Sequence, residues 1–145
     1  MPISVKQTTT AGPKPVSILL IEDNPTDVFF LRYGLANAGI SSNLQAVPDG
    51  RAVLPSVGDG ARPDVLVIDF GLPGETGLDV LQRIKADPYF RSIPAVLLSG
   101  GIAPRHREIA LENGVFCFEK PFSIDGWREL ACHISSVCCR DKARC

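Results

Sequence analysis

A chain of 145 residues, 45% apolar and 21% charged, has the size and composition of one soluble globular domain that buries about two-thirds of its unfolded surface. With 15 basic against 16 acidic residues and a net charge of −1, it has no overall field favouring nucleic acid or an anionic membrane. No apolar run approaches the about 18 residues of a spanning helix and no basic-then-apolar leader opens the chain, so neither a membrane span nor a signal peptide is expected and the cytoplasm is the default location.

Residues 1–15 are polar, with a Thr8-Thr9-Thr10 run and two prolines, Pro13 and Pro15, and read as a flexible leader. VSILLI, from Val16 to Ile21, is the first apolar run and a candidate buried strand; it ends in the adjacent acids Glu22 and Asp23. Asn24-Pro25-Thr26-Asp27 is a helix start, with Asn24 as N-cap, Pro25 at the first helical position and Asp27 facing the positive end of the dipole. Val28, Leu31 and Leu35 continue at helical spacing until Gly39 stops the helix. Residues 44–47 form a short, weak strand. Asp49 caps a second helix through Ala52, Val53 and Leu54, which Pro55 and the Gly58-Asp59-Gly60 cluster cut short or distort.

Arg62-Pro63 leads into Val65-Leu66-Val67-Ile68-Asp69, a continuous apolar run into a carboxylate, as expected of a strand buried on both faces. After a loop over 71–77, Leu78, Leu81 and Ile84 predict an amphipathic helix ending near Asp87-Pro88. Ile93-Pro94 introduces a strand over 95–98 that ends in Ser99-Gly100-Gly101. Pro104 opens a helix through Ile109 and Leu111, closed by Asn113-Gly114. Residues 115–118 form the last strand, which ends in Glu119-Lys120-Pro121-Phe122. A final helix from about Ser123 carries Trp127, Leu130, Ile134 and Val137 at three- and four-residue steps.

Five β-α units predict an α/β fold, a doubly wound parallel sheet. Residues 16–137 make one domain, between the leader and a Cys-rich tail over 138–145. Glu22 and Asp23, Asp69, Ser99 and Lys120 each close a different strand at its carboxyl end, and such ends converge on one crevice. A carboxylate at a strand end is by itself as readily a helix cap, but four such coincidences exceed what capping explains. Three carboxylates in one cleft repel each other unless a cation joins them, and oxygen donors without His or Cys suit a hard ion such as Mg²⁺. Carboxylate, metal, lysine and hydroxyl together match phosphoryl transfer, the carboxylate being a nucleophile that forms an acyl phosphate. No GxxxxGK[ST] or GxGxxG loop presents a cradled nucleotide.

Ile21-Glu22-Asp23-Asn24, Asp69-Phe70-Gly71-Leu72-Pro73-Gly74 with Gly77, Ser99-Gly100 and Lys120-Pro121-Phe122, in this order and each after a strand, resemble the receiver domains of two-component response regulators. The resemblance runs from about Val16 to Val137 and implies a flavodoxin-like sheet of order 2-1-3-4-5. It implies that Asp69 is the phosphoacceptor. Glu22 and Asp23 would hold Mg²⁺ with Asp69 and the backbone carbonyl of Gly71. Ser99 would be the switch hydroxyl and Lys120 the phosphoryl contact, preceding a cis Lys120-Pro121 bond. The implied donor is a sensor histidine kinase or a phosphotransfer protein. Glu22-Asp23-Asn24-Pro25-Thr26-Asp27 and the 87–94 segment resemble small stand-alone receivers that partner phytochrome-type kinases.

No output domain is expected, since the chain ends soon after Pro121, so signalling would run through protein contacts. The chain is expected to catalyse its own phosphoryl transfer and a slow autodephosphorylation without being a conventional enzyme. The alternative is a receiver-like interaction module that is not phosphorylated. A hydrolase would need an acid two residues past Asp69, where Gly71 stands.

Departures from the family pattern are Ser99 where Thr is commoner, Cys117 where an aromatic switch residue usually stands, and a 114–120 segment one residue short. Phe116 is a candidate to compensate for Cys117. Gly71 and Gly101 offer no side chain where the family tunes dephosphorylation, which predicts a long-lived phosphoryl group. Among the five cysteines, Cys132, Cys138 and Cys139 with His133 do not match zinc spacing and read as free thiols in a reducing compartment. Trp127, Ile134 and Phe122 read as packing residues, Cys117 as a small core residue, and Arg105, His106 and Arg107 as a solvated helix start. The last strand and helix are the expected face for a homodimer.

Overall fold

The computed structural model describes residues 14–53, 62–101 and 103–138. The expected leader (residues 1–13 of it), the stretch 54–61 and the tail beyond Cys138 lie outside the described residues. Five strands, β1 (Val16–Ile21), β2 (Ser42–Val47), β3 (Val65–Asp69), β4 (Ala95–Ser99) and β5 (Phe116–Glu119), form one sheet of order β2-β1-β3-β4-β5. Every pairing is parallel. This is the flavodoxin-like order expected from the sequence. Among the described residues, five α-helices accompany the strands: α1 (Pro25–Asn37), α2 (Gly77–Lys85), the single turn α3 (Pro88–Arg91), α4 (Pro104–Glu112) and α5 (Ile124–Cys138).

Side chains alternate along each strand, so each apolar run feeds two cores. Leu19, Ile21, Leu66, Ile68 and Leu97 pack with Leu78, Leu81, Ile84, Phe90 and Ala110 on the face covered by α2, α3 and α4. Ile18, Leu20, Val65, Val67, Val96 and Leu98 pack with Leu31, Leu35, Trp127, Leu130 and Ile134 on the α1 and α5 face. Burial on both faces is why β1, β3 and β4 read as unbroken apolar runs.

The local signals at helix ends operate as written. Asn24 accepts the Thr26 N–H at 2.9 Å, Pro25 sits in the first turn of α1, and Gly39 follows the helix with φ 73°. Thr76 and Asp79 form a reciprocal capping box on α2, each side chain accepting from the other's backbone N–H.

Other features depart from expectation. β2 begins at Ser42, two residues earlier than its apolar content suggests, because it pairs in register with β1 from Val16↔Ser42 to Ile21↔Val47. A backbone ladder does not need apolar side chains, and Ser42, Asn43 and Gln45 are tolerated on an edge strand. The second helix starts as a 3₁₀ turn at Gly50–Ala52, with Asp49 accepting the Arg51 N–H at 2.9 Å.

α3 is absent from the sequence pattern because one turn is too short to show a period. Its start is nonetheless capped: Asp87 accepts from Tyr89 N–H at 2.9 Å. The Lys85 ammonium fastens the following chain by donating to the carbonyls of Arg91 and Ile93. Phe122, expected in the packing, is 99% exposed. It stands in the loop between β5 and α5, and the inward face of α5 begins only at Trp127.

The Lys120–Pro121 bond, expected cis, is trans. Trans is the lower-energy isomer of an X–Pro bond, by about 0.5–1 kcal/mol. From this backbone Lys120 already reaches its carboxylate partners, described below. His106 is not solvated: its ring is half-buried, 5.2 Å from that of Phe70, and Nδ1 has no hydrogen-bond partner among the described residues. Arg107 is half-buried too, and of the three only Arg105 is exposed. No helix among the described residues is long and apolar enough to cross a membrane.

Candidate functional site

Parallel strands in register deliver their carboxyl ends to one edge of the sheet. β1 runs out at Ile21, and the Glu22 N–H that follows donates to the Val47 carbonyl at 2.9 Å. β3 ends in Asp69 and β4 in Ser99, and the Lys120 N–H beyond β5 donates to the Ser99 carbonyl at 2.8 Å. The sequence-predicted residues Glu22, Asp23, Asp69, Ser99 and Lys120 therefore share one crevice, with Gly71 on the loop leaving β3.

Carboxylate oxygens of Glu22, Asp23 and Asp69 lie within 4.8 Å of one another. Glu22 is 4% and Asp69 6% exposed, whereas Asp23 faces solvent. The Lys120 ammonium sits against this group, with Nζ 3.0 Å from Glu22 Oε1 and 3.3 Å from Asp69 Oδ1. Backbone amides orient the acids: Gly71 N–H donates to Asp69 Oδ1 at 3.2 Å and Asn24 N–H to Glu22 Oε2 at 3.3 Å. Ser99 is buried, and its Oγ accepts from Gly101 N–H at 2.9 Å, so the hydroxyl keeps its proton as a donor.

Burial pushes the Glu22 carboxyl up to about 7; Lys120 opposes the rise and the charge of Asp69 adds to it. Burial works against the Lys120 ammonium, but the hydrogen bonds it donates to Asp27 and Glu22 and the charges of Glu22 and Asp69 outweigh it and raise its pKa. A buried Glu22 that resists ionising beside two further carboxylates is a site in want of positive charge. Their donor set is all oxygen, without His or Cys, so the cluster can bind a hard divalent metal.

Asp27 is the site residue that sequence reasoning missed. Its Oδ2 is 2.8 Å from Lys120 Nζ, the shortest of that lysine's three ion pairs among the described residues. The signal was its place in the first turn of a helix starting two residues after Asp23. At that point a side chain reaches back over the helix N-terminus toward the strand end.

Gly77 packs directly against the backbone at the end of β3. A Cβ there would stand 2.6 Å from the Asp69 carbonyl oxygen and 2.8 Å from Phe70 Cα. Gly77→Ala is expected to lower stability by about 1–3 kcal/mol, as overpacking does. That loss exceeds alanine's gain in helix propensity of about 1 kcal/mol. A urea midpoint equal to that of the parent would contradict this close fit.

Cys117 lies beside Leu97 in the β4–β5 register and packs on the α4 side, the face it shares with Ser99 and Glu119. Burial raises its thiol pKa, with Arg107 opposing. Phe116 and Phe118 alternate to the other face, and Phe118 stacks on His133 with centroids 5.3 Å apart. Phe116 therefore cannot replace an aromatic at position 117.

A response regulator receiver domain is matched over residues 18–131, most of the chain. The chain belongs to the response regulator receiver family. Among relatives of this receiver, the response regulator Rcp1 of Synechocystis is 31% identical over 91 residues, 59% of the chain and 62% of Rcp1. A probable cyclic di-GMP phosphodiesterase of Vibrio cholerae is 28% identical over 109 residues, 74% of the chain but 24% of that protein. The receiver thus spans less than two-thirds of either relative.

Among solved structures, the phosphorylated cyanobacterial phytochrome response regulator RcpA superposes with TM-score 0.72 at 29% identity, covering 85% of the chain and 93% of RcpA. The Mn²⁺-bound form of Rcp1 superposes with TM-score 0.70 at 28% identity, covering 84% and 93%.

Proposed function

We propose that this receiver takes a phosphoryl group from a phosphohistidine onto Asp69 and signals through protein contacts. The observation that carries the proposal is one lysine ammonium in contact with Glu22, Asp27 and Asp69 at the mouth of a crevice that also holds a buried serine hydroxyl. An Asp69 carboxylate oxygen would attack phosphorus, the P–N bond would break, and the leaving imidazole nitrogen would take its electron pair. The product is an acyl phosphate on Asp69. Lys120 would neutralise charge on the phosphoryl oxygens and Ser99 would donate a hydrogen bond to one of them. Glu22, Asp23 and Asp69, with the Gly71 carbonyl, would hold Mg²⁺, which supplies further charge neutralisation when bound.

The partner we propose is a sensor histidine kinase or a phosphotransfer protein. A phytochrome-type kinase is favoured by the likeness to RcpA, a phytochrome response regulator. Exposed Phe29, Tyr33, Phe122 and Ile124 lie on α1 and on the loop and first turn leading into α5. They offer apolar contacts for such a partner beside the crevice. Self-association through β5 and α5 is consistent with β5 as a sheet edge carrying an exposed Phe116. Cys117 and Cys132, which are in no disulfide among the described residues, suit a reducing, cytoplasmic setting. The domain we assign covers residues 16–137.

The test is incubation with acetyl phosphate and Mg²⁺, read by intact mass, with a gain of one phosphoryl group expected. No gain would favour the second reading, a receiver-like module that is not phosphorylated. Cys117 on the face shared with Ser99 is the feature that favours that reading.

The phosphoryl group is expected to persist. Gly71 and Gly101 carry no side chain to reach toward an attacking water, and among the described residues no atom stands within 4 Å of where a Cβ would be at either position. After removal of acetyl phosphate, decay followed by mass should take minutes or longer. A half-life of seconds would show that another group orients the water.

A further inference from the structure

We infer that Asp27 is a positioning residue for Lys120, a counter-anchor that competes with position 69 for the ammonium and is given up when a phosphoryl group arrives. The inference rests on the proposed transfer to Asp69.

Lys120 has three N–H donors and, among the described residues, three carboxylate partners, at 2.8 Å for Asp27, 3.0 Å for Glu22 and 3.3 Å for Asp69. The nucleophile has the longest contact and Asp27 the shortest. Both ends of the Asp27–Lys120 pair are mostly shielded, with side chains 20% and 19% exposed, so solvent and salt screen it less than a surface pair. The two residues are 93 positions apart in sequence and meet only through the fold.

Charge decides the direction of the competition. Before transfer Asp69 carries one negative charge; as an acyl phosphate dianion it carries two. The pull of position 69 on the ammonium therefore rises on transfer, while that of Asp27 does not change. Part of the gain is offset because the Asp27 contact must lengthen as the lysine turns to the phosphoryl oxygens. Neutralising Asp27 removes that opposition. The ordinary role of an acid in a helix's first turn is to face the dipole. That role alone predicts a small loss of stability and no change in phosphoryl transfer.

Asp27→Asn keeps the shape and removes the charge. At saturating Mg²⁺ it should speed phosphorylation of Asp69 by acetyl phosphate about three- to tenfold, and lower the beryllofluoride concentration for half-saturation by a similar factor, the size expected of a partly shielded ion pair. Asp27→Glu, which keeps the charge, should bring both back toward the parent values. In a Lys120→Ala background, Asp27→Asn should change neither, since the effect runs through the lysine.

An equal change with and without Lys120 would overturn the inference, as would no change in the Lys120-containing protein. If the parent loads normally and Asp27→Asn matches it, the counter-anchor falls and the phosphotransfer reading stands. If the parent takes no phosphoryl group, both fall.

Discussion

Asp69→Asn, incubated with acetyl phosphate and Mg²⁺, is expected to gain no phosphoryl group, where the parent gains one. The substitution replaces a carboxylate oxygen nucleophile with a neutral amide that cannot form an acyl phosphate under these conditions. It also removes the charge from the Lys120 contact at 3.3 Å and one of the three carboxylates that could hold a metal ion.

Loss of fold would not account for the result. Asp69 is 6% exposed beside Glu22, and an amide of the same shape relieves the repulsion between the two acids while it gives up one shared ion pair. The two changes oppose each other, so Asp69→Asn should unfold within about 1 kcal/mol of the parent. A phosphoryl gain retained in the variant would mean that another residue accepts the group, with Glu22 and Asp23 the nearest acids. Peptide mapping of the product would identify it.

Phe90→Ala should have the largest effect on stability. Phe90 is a large side chain with no exposed surface; it belongs to the core beneath α2, α3 and α4 and meets Tyr89 edge-to-face with centroids 4.9 Å apart. Truncating a buried phenylalanine costs about 3–5 kcal/mol in lost burial and residual cavity, against a typical total of about 5–15 kcal/mol for a domain. The urea midpoint should fall accordingly, with the slope unchanged. A loss of less than about 1 kcal/mol would mean that α3 is not part of the cooperative core. Folded Phe90→Ala should still load Asp69, because α3 contributes none of the side chains that line the crevice.

α3 also shows where sequence reading reached its limit. Asp87 and Pro88 mark a helix boundary by local rules, and a boundary is what the sequence shows. That the next four residues make a turn and bury Phe90 depends on the Lys85 ammonium and on core surfaces from strands distant in sequence. Phe122 fails in the opposite sense. An aromatic beside Lys120-Pro121 reads as packing, yet the path from β5 to α5 leaves it in solvent. Periodicity carries no information in a loop.

The chain by itself determined the sheet and the place of the chemistry. Strands of five or six mostly apolar residues, buried on both faces, make up the centre of the sheet, and caps such as Asn24 and Thr76 specify where helices begin. Because five parallel strands must present their carboxyl ends on one edge, Glu22, Asp23, Asp69, Ser99 and Lys120 could be placed together before any coordinate was known.

Only the tertiary structure decided how those groups share charge. It brings Asp27 to Lys120, turns His106 onto Phe70, and sends Phe116 and Cys117 to opposite faces of β5. The physical reason is range. Strand and helix signals act over a few residues along the chain, whereas an ion pair or ring contact depends on distances of a few ångströms between elements far apart in sequence, and these exist only once the sheet has formed.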